Sequence, residues 1–484
     1  MKYLFMGALL LGFSTGAMAQ DGTKADVDAV KNLIKSKAAD AKAMKPFYSK
    51  NKKNVENLVA FGRAFYEAKD TTNAKVAANM ALAASKRQSS PAYVLLGDIA
   101  AMADDGGAAA ANYEQAIYYD KKNPEPYRKY ALVYRKIDPD GAAAKLDQLQ
   151  AEMPDYPVDA LKAHIYYLSL KYGKAIETYA KVPTPKMTRS DFIEYANACF
   201  VAQQYQQGFD AAKAGLAQNA NNATMTRLAM FCANNLKKYN EAIAYGNALF
   251  NKVPKDSVTF SHLDFLNYGN ALAGNNQLEQ AIEQYKKGLE IKDVEDKNLA
   301  DIHKSLSDAQ KQLKNFPEAI ASYKKYLATA KDPDAIAHAG LGTLTMNWAR
   351  SLKQEGAEQM TEAETNAYKE ADNIWGDLAE KFPDAAEYAL FQRATVNAIM
   401  DPDSKAALAK PYFEKLVDLI NAREEHDATD NTRLEKAYRY LMFYYYSIAK
   451  DNKTALDYAN KILEIKPDDD GIKKVVESLN KTIK

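Results

Sequence analysis

Apolar and small side chains recur at helical spacing along nearly the whole chain, in short runs separated by polar turns. Residues 265–289, FLNYGNALAGNNQLEQAIEQYKKGL, show the pattern in one unit and read as two short helices joined by a turn. Gly269 falls where the two helices must approach closely. Ala281 lies twelve residues on, Tyr285 sixteen and Gly288 nineteen. Small residues at these places let one helix lie in the groove of the other, and the tyrosine fills the space above.

The unit returns in phase. Its first small position falls at Gly62, Gly97, Ala131, Ala163, Ala196, Met230, Gly269 and Ser307. Its second falls at Ala74, Ala109, Ala143, Ala175, Gly208, Ala242, Ala281 and Ala319. Both series advance by 35, 34, 32, 33, 34, 39 and 38 residues. A second-helix phrase also repeats, as KAIETY from Lys174, QAIEQY from Gln280 and EAIASY from Glu318. This pattern resembles the tetratricopeptide repeat (TPR), a helix–turn–helix unit of about 34 residues. The resemblance implies an all-α fold, a right-handed α–α superhelix of about eleven helix pairs. Departures are Met230 at a small site and Asp147 where an aromatic is usual.

Outside the phased block, residues 20–54 contain a helix over 25–45 with Val27, Val30, Leu33 and Ile34 on one face. The array proper spans 55–331, about eight repeats. Beyond Asp332-Pro333-Asp334 the phase loosens, and 332–466 reads as three degenerate repeats, with a hinge placed near Asp332. Helices are read there over 335–353, 362–381, 385–400, 406–422, 433–449 and 454–465, with Ala371, Ala409 and Ala455 as the second-helix small residues. Residues 438–446, YRYLMFYYY, read as first-helix core, with a ligand-stacking platform as the alternative. Residues 467–484 read as a capping helix that covers the last apolar face with Ile472, Val475, Val476 and Leu479.

Residues 1–19 carry the features of a secretory signal: Lys2, an apolar core over 4–13 and Ala17-Met18-Ala19, with cleavage between Ala19 and Gln20. No cysteine stands near that site, so the expectation is an exported, periplasmic, soluble protein and not a lipoprotein, with peripheral residence on the outer membrane as a variant. No later apolar run reaches the length of a membrane span. Beyond residue 19 the chain holds 63 basic and 63 acidic side chains, which argues against nucleic acid as the main partner. Cys199 and Cys232, about one repeat apart, read as two buried free thiols, with a disulfide as the alternative.

The chemistry-bearing motifs are thin. The five histidines are scattered, and no metalloprotease, nucleophile-elbow or phosphate-loop pattern occurs. Gly340-Leu341-Gly342 lacks the third glycine of a dinucleotide loop. Asp468-Asp470-Gly471 and Asp138-Asp140-Gly141 approach a calcium loop, but a lysine (Lys466, Lys136) stands in first place, so both read as helix stops and N-caps. No catalytic, metal or cofactor site is expected. In the family resembled, partners bind a concave groove lined by the first helices. Carried over, that groove holds Arg63 and Tyr66, Asp98, Arg128 and Arg135, His164 and Tyr167, Asn197 and Phe200, Arg227 and Asn234, Asn270, and Lys304 with Asp308. The resemblance therefore implies a non-enzymatic scaffold or assembly factor of the bacterial cell envelope that grips a protein or peptide. A carbohydrate- or nutrient-binding accessory of the outer membrane is the alternative. Asp70-Thr71-Thr72 and Asp256-Ser257-Val258 resemble the short O-glycosylation pattern of Bacteroidetes-type bacteria, with Thr71 and Ser257 as acceptors in turns.

Overall fold

The computed structural model describes residues 21–355 and 359–483; the expected signal segment and its cleavage site at Ala19 and Gln20 lie outside the described residues. Among the described residues the regular structure is helical. In chain order the helices are α1 (Asp21–Lys35), α2 (Ala41–Lys50), α3 (Val55–Glu67), α4 (Thr71–Ala84), α5 (Ser90–Met102), α6 (Gly106–Tyr119), α7 (Pro124–Tyr134), α8 (Pro139–Glu152), α9 (Val158–Leu168), α10 (Tyr172–Tyr179), α11 (Arg189–Val201), α12 (Tyr205–Gln218) and α13 (Ala223–Asn235). They continue with α14 (Tyr239–Asn251), α15 (His262–Gly274), α16 (Leu278–Leu289), α17 (Ala300–Gln312), α18 (Phe316–Thr329), α19 (Ala335–Ser351), α20 (Glu362–Lys381), α21 (Ala386–Met400), α22 (Lys410–Asn421), α23 (Ala428–Ser447), α24 (Asn452–Ile465) and α25 (Asp470–Ile483). Two compact units divide between Cys232 and Ala233, inside α13; Asp332, where the sequence phase loosens, lies within the second unit.

In each unit a helix packs mainly on the helix before it and the helix after it, and neighbouring first helices also touch, as α3 with α5, α9 with α11 and α15 with α17. The small residues of both series are buried. The interlock read in the sequence is present as written. A Cβ on Gly269 would lie no more than 3.0 Å from three ring atoms of Tyr285, and Gly97 faces the ring of Tyr113 in the same way. Ser307, a polar member of the series, donates its hydroxyl to the Ala319 carbonyl at 2.7 Å, so it satisfies itself inside the interface. The fold is thus an all-α solenoid built of TPR-type helix pairs, recognisable from this chain's own packing.

The turn inside most pairs uses one device. A left-handed residue stands just past the end of the first helix, and the next residue is the N-cap of the second. Lys69 (φ 64°), Asp104 (57°), Leu170 (58°), Gln203 (59°), Lys237 (58°), Asn276 (59°), Lys314 (62°) and Lys450 (59°) all take this conformation, and none is glycine. At the first of these turns the amide of Asp70 donates to Phe65 at 2.9 Å and that of Lys69 to Tyr66 at 2.9 Å, closing a Schellman turn. The Asp70 carboxylate then accepts from the amide of Asn73 at 3.0 Å and caps α4.

Several expected boundaries shift. The single helix read over 25–45 is two helices, because Lys37 turns left-handed (φ 57°) and Asp40 starts α2 by accepting from the amide of Ala43 at 2.8 Å. Helix α22 begins at Lys410, after left-handed Ser404 and Ala407, so Ala409 is its N-cap and not a mid-helix contact. Helix α23 begins at Ala428, five residues before the expected start, since Asp427 and Asp430 form a reciprocal capping box. Gly342, read only as part of a failed nucleotide loop, is a packing glycine: a Cβ there would meet Trp375 at 2.6 Å. Helix α25 covers the end of the second unit with Ile472 and Val476 packed on its core, and Leu479 is buried as well. Residues 438–446 divide: Tyr438 and Leu441 are buried, whereas Phe443 and Tyr446 are exposed.

Candidate functional site

In the first unit the residues assigned to the groove fall along successive first helices and reach one another across repeats. Arg63 of α3 donates to Asp98 of α5 at 3.2 Å and approaches Glu125 of α7 at 3.5 Å. Asp98 is 5 % exposed and receives two further donors, the Tyr113 hydroxyl at 2.8 Å and the Lys129 ammonium at 2.6 Å. Three donors on one buried carboxylate make this the most heavily paired group of the row described here. Burial, together with the Asp98 charge, pushes the Tyr113 phenol well above its ordinary range. Tyr66, half-buried beside this cluster, is shifted up chiefly by burial.

Further along, His164 of α9 meets Glu194 of α11 through Nδ1 at 2.8 Å, and the Tyr179 hydroxyl donates to the same carboxylate at 2.7 Å. The Asn197 amide donates to the Tyr167 hydroxyl at 2.7 Å. The Phe200 ring lies 5.8 Å from that of Phe231. Arg128 and His164 border a small cavity of about 70 Å³ floored by Leu146, Leu161 and Ile165. Arg135 turns back onto the carbonyl of Leu132, and burial lowers its guanidinium pKa. It borders a separate hollow of about 510 Å³ that also includes Asp104, Lys136 and Ile137. Arg227 is half-buried and engaged by a neighbour. Cys199 and Cys232 are free buried thiols that converge on Gly208; burial pushes both up to about 12.

In the second unit, Asn234 donates to Asn267 at 3.4 Å, a weak contact, and Asn270 accepts from the Tyr285 hydroxyl at 2.9 Å. Lys304 and Asp308 stand on the wall of a hollow of about 420 Å³ between α17 and α19, with Lys311, Tyr323, Ile336 and Tyr388. Ile336 is 81 % exposed at this rim. Asp308 pairs with Lys311 at 3.0 Å, so the net charge of the wall is one lysine, Lys304, whose ammonium also lies 5.7 Å from the Tyr326 ring centre. His303, one residue before Lys304, is buried, and burial lowers its pKa.

Sequence reading missed Lys129, Glu125 and Glu194, which complete the ionic contacts of the row. A signal existed: Asp98 precedes Lys129 by 31 residues and His164 precedes Glu194 by 30, close to one repeat. Of the two proposed glycosylation acceptors, Ser257 sits exposed in a short 3-10 turn, and Thr71 is the first residue of α4, half-buried, and not in a turn. Among the described residues no group of three or more metal-ligating side chains converges, and no helix is long and apolar enough to cross a membrane.

No protein-family model matches the chain, and no curated protein matches it. Among solved structures it is similar to the C-terminal part of a TPR repeat-containing protein from Cytophaga hutchinsonii, at 24 % identity over 59 % of this chain and 99 % of that one, with a TM-score of 0.43. It is also similar to YrrB, described as a TPR protein with an unusual peptide-binding site, at 18 % identity over 38 % of this chain and 94 % of that one (TM-score 0.33). A third is PilW, a type IV pilus biogenesis factor, at 17 % identity over 42 % and 96 % (TM-score 0.33). These likenesses are partial, and the fold assignment rests on the packing described above.

Proposed function

We propose that the protein is a non-enzymatic, exported scaffold that holds a protein or peptide partner along its first-helix face in the bacterial cell envelope. One observation carries this reading. Charged and aromatic side chains stand about one repeat apart along α3, α5, α7, α9 and α11, on a face whose backbone is fixed by the interlocked cores behind it. A preorganised surface of that kind lowers the ordering cost of binding an extended chain. Arg63, Tyr66, Arg128, Arg135, His164, Tyr167, Asn197, Arg227, Asn234 and Asn270 are the proposed lining.

The test is cross-linking in the native envelope followed by capture with purified protein. Wild type should recover a defined protein, and Arg128→Glu with Arg227→Glu should reduce capture at least about tenfold, the loss expected from roughly 1.4 kcal/mol at the interface. Unchanged capture by the double variant would remove the groove assignment. A glycan-binding accessory is the second reading, supported by Tyr118 at 71 % and Tyr446 at 50 % exposure, rings accessible for stacking on sugars although Tyr118 also meets the Tyr119 ring edge-on at 5.1 Å between centres. Retention of glycans with no protein captured would favour it over the scaffold. O-glycosylation at Thr71 and Ser257 predicts a mass increment on the native protein that disappears in Thr71→Ala with Ser257→Ala; an unmodified native mass refutes it.

A further inference from the structure

The first two helices carry a charge that the rest of the chain does not. Residues 24–53 hold nine lysines against three aspartates and no arginine, whereas the whole chain holds 64 basic and 63 acidic side chains. All nine lysines are exposed. Their placement follows from the way the helices bury their apolar sides. In α1, Val30 is fully buried and Val27, Leu33 and Ile34 pack on the core, which leaves Lys24, Lys31 and Lys35 on one stripe at helical spacing. In α2, Met44, Phe47 and Tyr48 face the core, and Phe47 and Tyr48 both pack against Phe61. Lys42, Lys45 and Lys50 occupy the other side. Lys37 in the turn after α1, and Lys52 and Lys53 in the turn after α2, extend the patch.

The acidic groups nearby offset little of it. Asp26 pairs with Lys50 at 2.8 Å, and Asp40 accepts from the amide of Ala43 as the cap of α2. Asp28 is the remaining one, exposed on the α1 stripe.

We propose that this end of the protein docks electrostatically on an anionic lipid surface. Three features favour lipid over other polyanions. The cations are lysines only, hydrated point charges without the planar fork that arginine uses to grip phosphates in fixed geometry. They are spread over two helices and two turns and do not converge on one cleft, which suits a diffuse, fluid layer of headgroups. The two aromatic rings of the segment are turned inward on Phe61, so none is presented for stacking nucleobases. This docking is independent of the partner-binding face proposed above and involves none of its residues.

Co-sedimentation with vesicles tests the idea, using the exported form that begins at Gln20 so that the apolar segment over 4–13 does not itself bind lipid. Vesicles of neutral phosphatidylcholine should retain little protein, and vesicles with about one-third phosphatidylglycerol should retain it, with binding lost as salt rises from about 0.05 M to about 0.3 M. Each lysine near such a surface is worth on the order of fivefold, so Lys31→Gln, Lys35→Gln, Lys42→Gln and Lys45→Gln together should lower the partition coefficient by about a hundredfold or more. A matched variant at four exposed sites elsewhere, Lys171→Gln, Lys181→Gln, Lys213→Gln and Lys286→Gln, should stay within about twofold of wild type, since none of these lysines belongs to the docking patch. Equal binding to neutral vesicles, or equal loss in both variants, overturns the proposal. So does heparin or single-stranded nucleic acid retaining the protein while anionic vesicles do not. Circular dichroism of both variants confirms that the helices remain.

Discussion

The Gly269–Tyr285 contact offers a test in which the sign of the effect is decisive. Gly269 is the eighth of thirteen residues in α15, well inside the helix. At an unobstructed interior position, Gly→Ala stabilises a helix by about 1 kcal/mol, because alanine restricts the unfolded chain and carries the best helix propensity. Here the added methyl would stand no more than 3.0 Å from three atoms of the Tyr285 ring. That ring cannot step aside cheaply: it is 1 % exposed, and its hydroxyl is held by Asn270 at 2.9 Å. Overpacking of this kind costs about 1–3 kcal/mol, so Gly269→Ala should be net destabilising, by about 1–2 kcal/mol. Gly173, near the start of α10, supplies the control, since a Cβ there meets nothing within 4 Å. Gly173→Ala should stabilise by up to about 0.5–1 kcal/mol. Urea unfolding monitored by far-ultraviolet circular dichroism reads both. Because arrays need not unfold in one step, amide exchange in α15 and α16 gives the local value. In a Tyr285→Leu background the penalty of Gly269→Ala should vanish, a coupling of about 1–2 kcal/mol. A Gly269→Ala protein as stable as wild type, or an equal penalty in both backgrounds, would refute the interlock.

The non-glycine left-handed turns make a prediction of opposite sign. Leu170 is 70 % exposed with φ 58°, so Leu170→Gly loses little packing and relieves roughly 1 kcal/mol of backbone strain; its unfolding midpoint should rise, and a fall would count against the strain. The thiols of Cys199 and Cys232, pushed up to about 12 by burial, should react with iodoacetamide at pH 8 only after denaturation, as followed by intact mass. Rapid alkylation of the folded chain would show that they are accessible. His303 is buried with a pKa held below its ordinary 6.5, first by burial and then by Lys325. The folded state therefore prefers the neutral ring; its contribution is intact above about pH 6.5 and is lost as pH falls below that value toward the folded pKa. His262 and His338 are shifted the same way, so His303→Gln should flatten, without abolishing, the decline in stability below pH 6.5 in urea titrations.

The repeat was legible because its rule concerns size. Gly269 with Tyr285, and Gly97 with Tyr113, follow the sixteen-residue spacing of a short first helix, a turn and a short second helix, and that spacing survives in one sequence. The same interlock went unread at Gly342 because α19 and α20 have grown to 17 and 20 residues and the connection between them is also longer than in the other pairs, which together place Trp375 thirty-three residues on. The break between α1 and α2 was invisible for a related reason. Lys37 carries no side-chain mark of a left-handed residue, and neither do Leu170 or Gln203, yet the Schellman turn imposes that conformation on whichever residue stands there.

Register assigned the candidate residues to first helices, where they lie or which they end, and it leaves open what each side chain meets. Asn270 illustrates the difference. It lies on α15, and its side-chain oxygen is engaged by Tyr285, the tyrosine that fills the gap over Gly269. Asn234, another residue assigned to the groove, donates to Asn267. Asp98 and His164 likewise meet groups one repeat on, Lys129 and Glu194. A partner binding this face must therefore compete with the array's own contacts. The cost of breaking them differs within the first unit: high at Asp98, which is buried with three donors, and low at the 3.5 Å approach of Arg63 to the half-exposed Glu125. Binding energy along such a surface should accordingly concentrate where the internal contacts are weakest, and specificity should lie in which of them a partner can replace with contacts of its own.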